Sequence, residues 1–136
     1  MTASARPFRS PAWMALAVAA LGFQCWALYS PSAGGPQLFP HIDKVVHFLL
    51  FGSVTLLFLL AGLRRTAVLV ANAAHAVVSE VIQWRLIPTR SGDPVDLVAD
   101  ALGLAVAAVL ADRTMAASKR GANSSSAVPT PAHEEA

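Results

Sequence analysis

The sequence predicts an all-α integral membrane protein, a bundle of four transmembrane helices with both termini on the cytoplasmic side. Three observations lead to this fold class. Of the 136 residues, 55% are hydrophobic and only 13% are charged, which is about half of the roughly 25% found in average soluble domains. The mean hydropathy is +0.54. The apolar residues form four separate segments, and most basic residues lie on one side of them. This composition excludes an ordinary soluble enzyme.

Each apolar segment is long enough to cross a membrane as a helix. The predicted helices cover residues 11–29, 44–63, 66–84 and 94–111. Segments of about 18–20 residues span a hydrocarbon core of about 30 Å, and helices satisfy their own backbone groups in lipid. Trp13 and Trp26 flank the first segment, as expected at membrane interfaces. Bulky residues replace the small ones of a signal-peptidase site at 23–26, so we expect a retained signal anchor.

The distribution of basic residues predicts the orientation. Seven of the ten basic residues lie before the first segment, between the second and the third, or after the fourth. They are Arg6, Arg9, Arg64, Arg65, Arg113, Lys119 and Arg120. The positive-inside rule assigns these regions to the cytoplasm. The predicted organisation is a cytoplasmic tail at 1–10, a transmembrane domain at 11–112 and a disordered cytoplasmic tail at 113–136. The pI near 9.2 therefore reflects topology, and no nucleic acid is expected as a partner.

Polar residues at the outer ends of the spans form the candidate site, because charged groups in lipid are costly unless they are paired or hydrated. The candidate ligand-binding residues are Asp43, Lys44, His47, Glu80, Gln83, Arg90, Asp96 and Asp100. Asp43 is the predicted N-cap of the second helix, one turn before His47. Asp96 and Asp100 share a helix face with Gly103, where the small residue predicts close helix packing.

The third segment carries a polar stripe. At 100° per residue, Asn72, His75, Ser79 and Gln83 fall within about 80° of one another, with Glu80 on the flank. Such a stripe should face the interior of the bundle. We expect His75, which lies deeper than Glu80, to form a hydrogen bond to a neighbouring helix.

Three short stretches occur in order between residues 43 and 109. They are Asp43-Lys44 with His47-Phe48 and Phe51, then Glu80 with Gln83, Pro88 and Arg90, then Asp96 with Asp100 and Gly103. This ordered set resembles the VanZ-like family of small bacterial membrane proteins. The resemblance implies a polytopic plasma-membrane protein. The namesake is associated with resistance to the glycopeptide teicoplanin, which implies envelope or lipid-linked cell-wall chemistry. Asp100 departs from the family pattern, where Asn is common, and adds a carboxylate.

Three functions stay open at this point. In the first, Lys44 and Arg90 bind an anionic head group, as in a lipid-linked cell-wall precursor or a glycopeptide-related ligand. In the second, the protein is a small membrane enzyme acting on a lipid head group. The candidate catalytic residues are then His47, Glu80, Asp96 and Asp100. In the third, the charges form ion pairs in a structural subunit of a membrane complex.

The sequence predicts no cofactor and no metal. His41, Asp43, His47 and Glu80 could supply metal ligands, but no local pattern such as H-E-x-x-H is present. A phosphate-binding loop and a G-x-S-x-G nucleophile elbow are also missing from the sequence. Membrane lipids are the expected partners.

Overall fold

The computed structural model describes residues 10–31, 39–87 and 92–125. Within these ranges the chain is all-helical, as predicted, and contains no strand. The helices are α1 (Pro11–Tyr29), α2 (Ile42–Leu60), α3 (Arg65–Leu86) and α4 (Pro94–Ser125). Each of these four helices is long and apolar enough to cross a membrane. The predicted all-helical architecture, with four helices able to span a membrane, is therefore confirmed.

The start of α2 differs from the prediction. The helix begins at Ile42 rather than near residue 44, and the N-cap position is held by His41 instead of Asp43. The cause is local, because His41 adopts a left-handed conformation with φ 62° and turns the chain into the helix earlier. Asp43 and Lys44 consequently both lie in the first turn of α2, where an acidic group suits the positive end of the helix dipole.

The end of α2 is set by a glycine. Gly62 has a φ of 85°, which a residue without a Cβ adopts at little cost. The Leu63 amide donates to the Phe58 carbonyl at 3.2 Å, and the Gly62 amide donates to the Leu59 carbonyl at 3.0 Å. This pair of bonds is a Schellman motif. It ends α2 at Leu60 rather than at the predicted residue 63.

The fourth helix is longer than predicted, so residues 113–125, expected to be disordered, are helical. The fourth helix was expected to end at residue 111, yet α4 continues to Ser125. The physical reason is that residues 112–120 are rich in good helix formers and contain neither glycine nor proline, so an established helix propagates without new nucleation. At 1.5 Å per residue, 32 residues extend about 48 Å, well beyond a hydrocarbon core of about 30 Å. Residues 126–136 lie outside the described part of the chain.

The bundle buries polar side chains among its apolar core and exposes large apolar side chains on its surface. Its buried polar side chains are Gln24, His47, Thr55, Asn72, Ser79, Gln83, Asp96 and Asp100. Large apolar side chains such as Phe23, Val70 and Val98 are by contrast more than half exposed. Soluble proteins show the opposite preference, whereas lipid solvates an apolar exterior. The burial of Asn72, Ser79 and Gln83 confirms that the polar stripe of α3 faces inward.

The most extensive helix contact joins α2 to α4. Gly52 and Gly103 meet at this contact, and the close packing predicted at Gly103 is confirmed. A Cβ added to Gly103 would lie 2.5 Å from the Phe48 carbonyl oxygen and 3.1 Å from the Gly52 nitrogen. Leu59, Ala108 and Ala111 continue the buried core towards the other end of the bundle. The glycine contact therefore sets the spacing between the polar ends of α2 and α4.

Candidate functional site

Most of the predicted site residues converge at one end of the bundle, where α2 and α4 begin and α3 ends. We name as the polar cluster the residues Asp43, Lys44, His47, Glu80, Asp93, Asp96 and Asp100. The first three lie on α2, Glu80 on α3, Asp93 in the connection from α3 to α4, and the last two on α4. Five carboxylates thus face one lysine and one histidine. The cluster is therefore acidic overall.

The outer half of the polar cluster consists of Asp43, Lys44, Asp93 and Asp96, with Lys44 at its centre. Lys44 Nζ lies 2.9 Å from Asp43 Oδ2, 2.7 Å from Asp93 Oδ2 and 2.9 Å from Asp96 Oδ1. An ammonium group has three donors, and here each one is directed to a carboxylate. Lys44, expected to bind an anionic ligand, is therefore fully ion-paired within the protein.

Asp93 is a member of the polar cluster that was not among the predicted site residues. Its backbone amide donates to Glu80 Oε2 at 2.9 Å, and its Oδ1 accepts from the Val95 amide at 2.9 Å. The hydrogen bond from Lys44 holds the pKa of Asp93 below its ordinary value, so it is a carboxylate at neutral pH. An acidic residue directly before Pro94 at a helix start is the capping signal that could have identified it.

The inner half of the polar cluster consists of His47, Glu80 and Asp100. His47 Nδ1 lies 3.1 Å from Asp100 Oδ1 and 3.9 Å from Glu80 Oε1. The His47 ring stacks against Phe51, with ring centroids 6.4 Å apart. The Asp100 side chain is fully buried. Glu80 Oε1 and Asp100 Oδ2 are buried without a hydrogen-bond partner among the described residues, which is costly for carboxylate oxygens.

Two predicted polar residues bind α1 instead of joining the polar cluster. Gln83 Nε2 donates to the Leu28 carbonyl at 3.1 Å. The His75 Nε2 atom lies 2.9 Å from the Tyr29 hydroxyl, which confirms the expected hydrogen bond from His75 to a neighbouring helix. Both contacts hold α1 against α3. Arg90, the remaining predicted site residue, lies outside the described residues.

An apolar cavity lies beside the polar cluster, between α3 and α4. This α3–α4 cavity has a volume of about 400 Å³ and is lined by Val77, Glu80, Val81, Trp84, Gly92, Pro94 and Leu97. Glu80 thus belongs both to the polar cluster and to the α3–α4 cavity. Gly92 has no room for a side chain, since a Cβ would lie 2.9 Å from Trp84 Cβ and 3.0 Å from the Glu80 carbonyl. Arg85 stacks over the Trp84 ring at 4.1 Å.

The fold and the polar cluster together define a class: a multi-pass helical membrane protein with buried ionisable groups at one end of its bundle. Comparisons with protein-family models, curated proteins and solved structures find no match. The function of the chain is therefore inferred from the contacts of the polar cluster and of the α3–α4 cavity. Intramembrane ionisable residues are functional candidates by default, because their burial is costly.

Proposed function

We propose that the chain is a VanZ-like protein of the bacterial plasma membrane that binds a lipid-linked ligand of the cell envelope. One observation carries the proposal, which is that Glu80 is shared between the polar cluster and the α3–α4 cavity. An amphiphile can therefore place its apolar chain against Val77, Val81 and Leu97 while its head group reaches Glu80. The ordered residues that resemble the VanZ-like family support the same envelope role, including the association with glycopeptide resistance.

The charge of the polar cluster indicates which head groups it accepts. The donors of Lys44 are already bonded to carboxylates, so Lys44 does not bind an anionic head group. The Glu80 carboxylate accepts hydrogen bonds and therefore favours a ligand group that donates them, such as an ammonium or a hydroxyl. A phosphate is better placed near Arg85, whose guanidinium stacks on Trp84 and forms no ion pair with the described carboxylates. The proposed ligand therefore combines a phosphate and a hydrogen-bond donor in one head group.

The proposed orientation puts both termini in the cytoplasm and the polar cluster on the outer face, in line with the positive-inside rule. Two single-cysteine variants test it in a Cys25→Ser background. Phe39→Cys lies before α2, at a position that is 66% exposed, and Ser118→Cys lies on the exposed end of α4. A membrane-impermeant maleimide should label Phe39→Cys in intact cells and Ser118→Cys only after the membrane is opened. The reverse pattern contradicts an outward-facing site.

Ligand binding is tested by native mass spectrometry of the purified full chain in detergent. The probes are phosphatidylethanolamine, phosphatidylglycerol and undecaprenyl phosphate at equal concentration. We expect Glu80→Gln to reduce retention of phosphatidylethanolamine by about tenfold or more, because a charge-assisted hydrogen bond contributes roughly 1.5–3 kcal/mol. The glutamine oxygen can still accept the Asp93 amide, so the fold is preserved.

Two valines of α3 provide a matched pair for the same measurement. Val77 lines the α3–α4 cavity, whereas Val70 is 63% exposed and lies outside it. Val77→Trp should displace the acyl chain and lower retention, while Val70→Trp should bind as the wild type does. Equal retention by the wild type, Glu80→Gln and Val77→Trp contradicts the proposal.

A second candidate function is supported by the pair of His47 and Asp100. A carboxylate that holds one imidazole nitrogen, here at 3.1 Å, is an arrangement that orients histidine for proton transfer. The same lipids, incubated with the purified protein, are analysed for head-group products. An enzyme should form a product that disappears in Glu80→Gln and His47→Ala. No product in the wild type eliminates this candidate and leaves ligand binding unaffected.

A further inference from the structure

The inner half of the polar cluster brings together three metal-ligating side chains from three helices. One ligand atom each from His47, Glu80 and Asp100 lies within 4.8 Å of the other two. His47 Nδ1 is 3.1 Å from Asp100 Oδ1 and 3.9 Å from Glu80 Oε1. Metal bonds of about 2.0–2.2 Å at tetrahedral angles put neighbouring ligand atoms about 3.3–3.6 Å apart. The two separations from His47 lie within a few tenths of an ångström of that range, and the Glu80 and Asp100 ligand atoms lie within 4.8 Å of each other.

Independent evidence for a cation comes from oxygens that the protein leaves unpaired. Asp100 has a fully buried side chain, and its Oδ2 has no hydrogen-bond partner among the described residues. Glu80 Oε1 is also buried without a hydrogen bond to the described part of the chain, and its contact there is the 3.9 Å approach of His47 Nδ1. The protein thus places two carboxylates around one imidazole and does not complete their coordination.

In the outer half of the polar cluster, a lysine of the protein itself neutralises a comparable group of carboxylates. Asp43, Asp93 and Asp96 also bring their ligand atoms within 4.8 Å of one another. There the Lys44 ammonium takes the central position, at 2.7–2.9 Å from all three carboxylates. No described lysine or arginine bonds to Glu80 or Asp100. In the inner group the described basic partner of the two carboxylates is the His47 imidazole, which is itself a metal ligand.

We propose that His47, Glu80 and Asp100 bind a divalent transition-metal ion of the Zn²⁺ type. One imidazole and two carboxylates form a mixed nitrogen and oxygen donor set, which suits Zn²⁺ or Mn²⁺ better than Ca²⁺ or Mg²⁺. The ion replaces the proton at Nδ1 of His47, since a metal-bound histidine is neutral. Three protein ligands leave a coordination position for water or for an oxygen of a ligand. The local sequence has no metal pattern because each ligand comes from a different helix.

The test uses the full chain, purified in detergent with a tag that contains no histidine. Metal is removed from the protein with EDTA, and after dialysis the protein is titrated with ZnCl₂ or MnCl₂ by isothermal titration calorimetry. The bound metal is quantified by inductively coupled plasma mass spectrometry. We expect about one ion per chain and an affinity at least tenfold lower in Asp100→Asn. Asp112→Asn is the matched control, because Asp112 lies on the same helix and pairs with Arg65 at the surface. It should bind as the wild type does.

Two further measurements separate the possible outcomes. Glu80→Gln retains the acceptor for the Asp93 amide and keeps the inference testable if Asp100→Asn does not fold. It should also lose at least tenfold in affinity. An affinity that is equal in Asp100→Asn, Glu80→Gln and Asp112→Asn, or no binding by the wild type, overturns the inference.

The metal site is independent of the proposed function, since lipid retention is measured separately on EDTA-treated protein. Retention without metal binding overturns only the metal site, and metal binding without lipid retention overturns only the proposed function.

Discussion

Gly103→Ala is expected to separate α2 from α4 and to destabilise the protein strongly. The added methyl carbon would lie 2.5 Å from the Phe48 carbonyl oxygen and 3.1 Å from the Gly52 nitrogen. Both are backbone atoms of a helix, so neither can rotate away as a flexible side chain could. Overpacking in well-packed cores costs about 1–3 kcal/mol, and occasionally more. We expect a destabilisation in the upper part of that range. Thermal unfolding in detergent, followed by the loss of helical circular dichroism, measures it.

Gly22→Ala is the matched control for this variant. Gly22 also lies within a membrane helix, but a Cβ there would meet no atom within 4 Å. Alanine favours helix over glycine by about 1 kcal/mol in water, so this variant should unfold at the same temperature as the wild type or slightly higher. Similar unfolding temperatures for the two variants would show that the glycine contact does not hold the bundle together.

Lys44→Met is expected to be the most disruptive change within the polar cluster. It removes the only ammonium that Asp43, Asp93 and Asp96 share among the described residues. Removing one partner of a buried ion pair typically costs about 3–5 kcal/mol. We expect the lower end of that range for the pair with the buried Asp96, because Asp43 and Asp93 are 37% and 38% exposed and remain hydrated. Chemical unfolding in detergent micelles measures the loss.

Two variants test whether the loss comes from the unpaired carboxylate. Adding Asp96→Asn to Lys44→Met should restore part of the stability, since the buried charge is then gone. Arg65→Met breaks an ion pair with Asp112 in which both side chains are at least half exposed, so it should cost less than about 1 kcal/mol. A loss in Arg65→Met as large as that in Lys44→Met would contradict a special role for the polar cluster.

The effect of Lys44→Met should also depend on pH. Lys44 lowers the pKa of Asp93 below its ordinary value of 3.8, so Asp93 contributes stability that is present above that pH. This contribution is lost as the pH falls through the lowered pKa. The gap in stability between the wild type and Lys44→Met should therefore be widest above about pH 4 and should narrow in stronger acid.

The sequence was sufficient to predict the features that depend on one helix at a time. The segment 11–29 coincides with α1, and the polar stripe of Asn72, Ser79 and Gln83 is buried as its periodicity indicates. The predicted ends of α2 differ from the observed ones, because helix ends depend on local conformations such as the left-handed His41 and the positive φ of Gly62.

The pairing of side chains between helices could not be predicted from the sequence. Lys44 was expected to bind a ligand, but its three carboxylate partners include two that are 49 and 52 residues away. Whether such groups meet depends on the rotation and register of α2 against α4, to which a single sequence gives no direct signal. The position of Asp93 before Pro94 is visible in the sequence, but its contacts with Lys44 and Glu80 are not.

The glycine contact between α2 and α4 also affects how a bound ligand acts on the protein. These two helices share a far more extensive contact than α3 shares with either of them, so His47 and Asp100 are already aligned before anything binds. Glu80 comes from the more loosely attached helix. A ligand or ion that bonds to all three residues therefore joins α3 to a pair of helices that is already joined. By thermodynamic linkage, the binding free energy of the proposed ion would add to the stability of the bundle and would hold α3 against the other two helices.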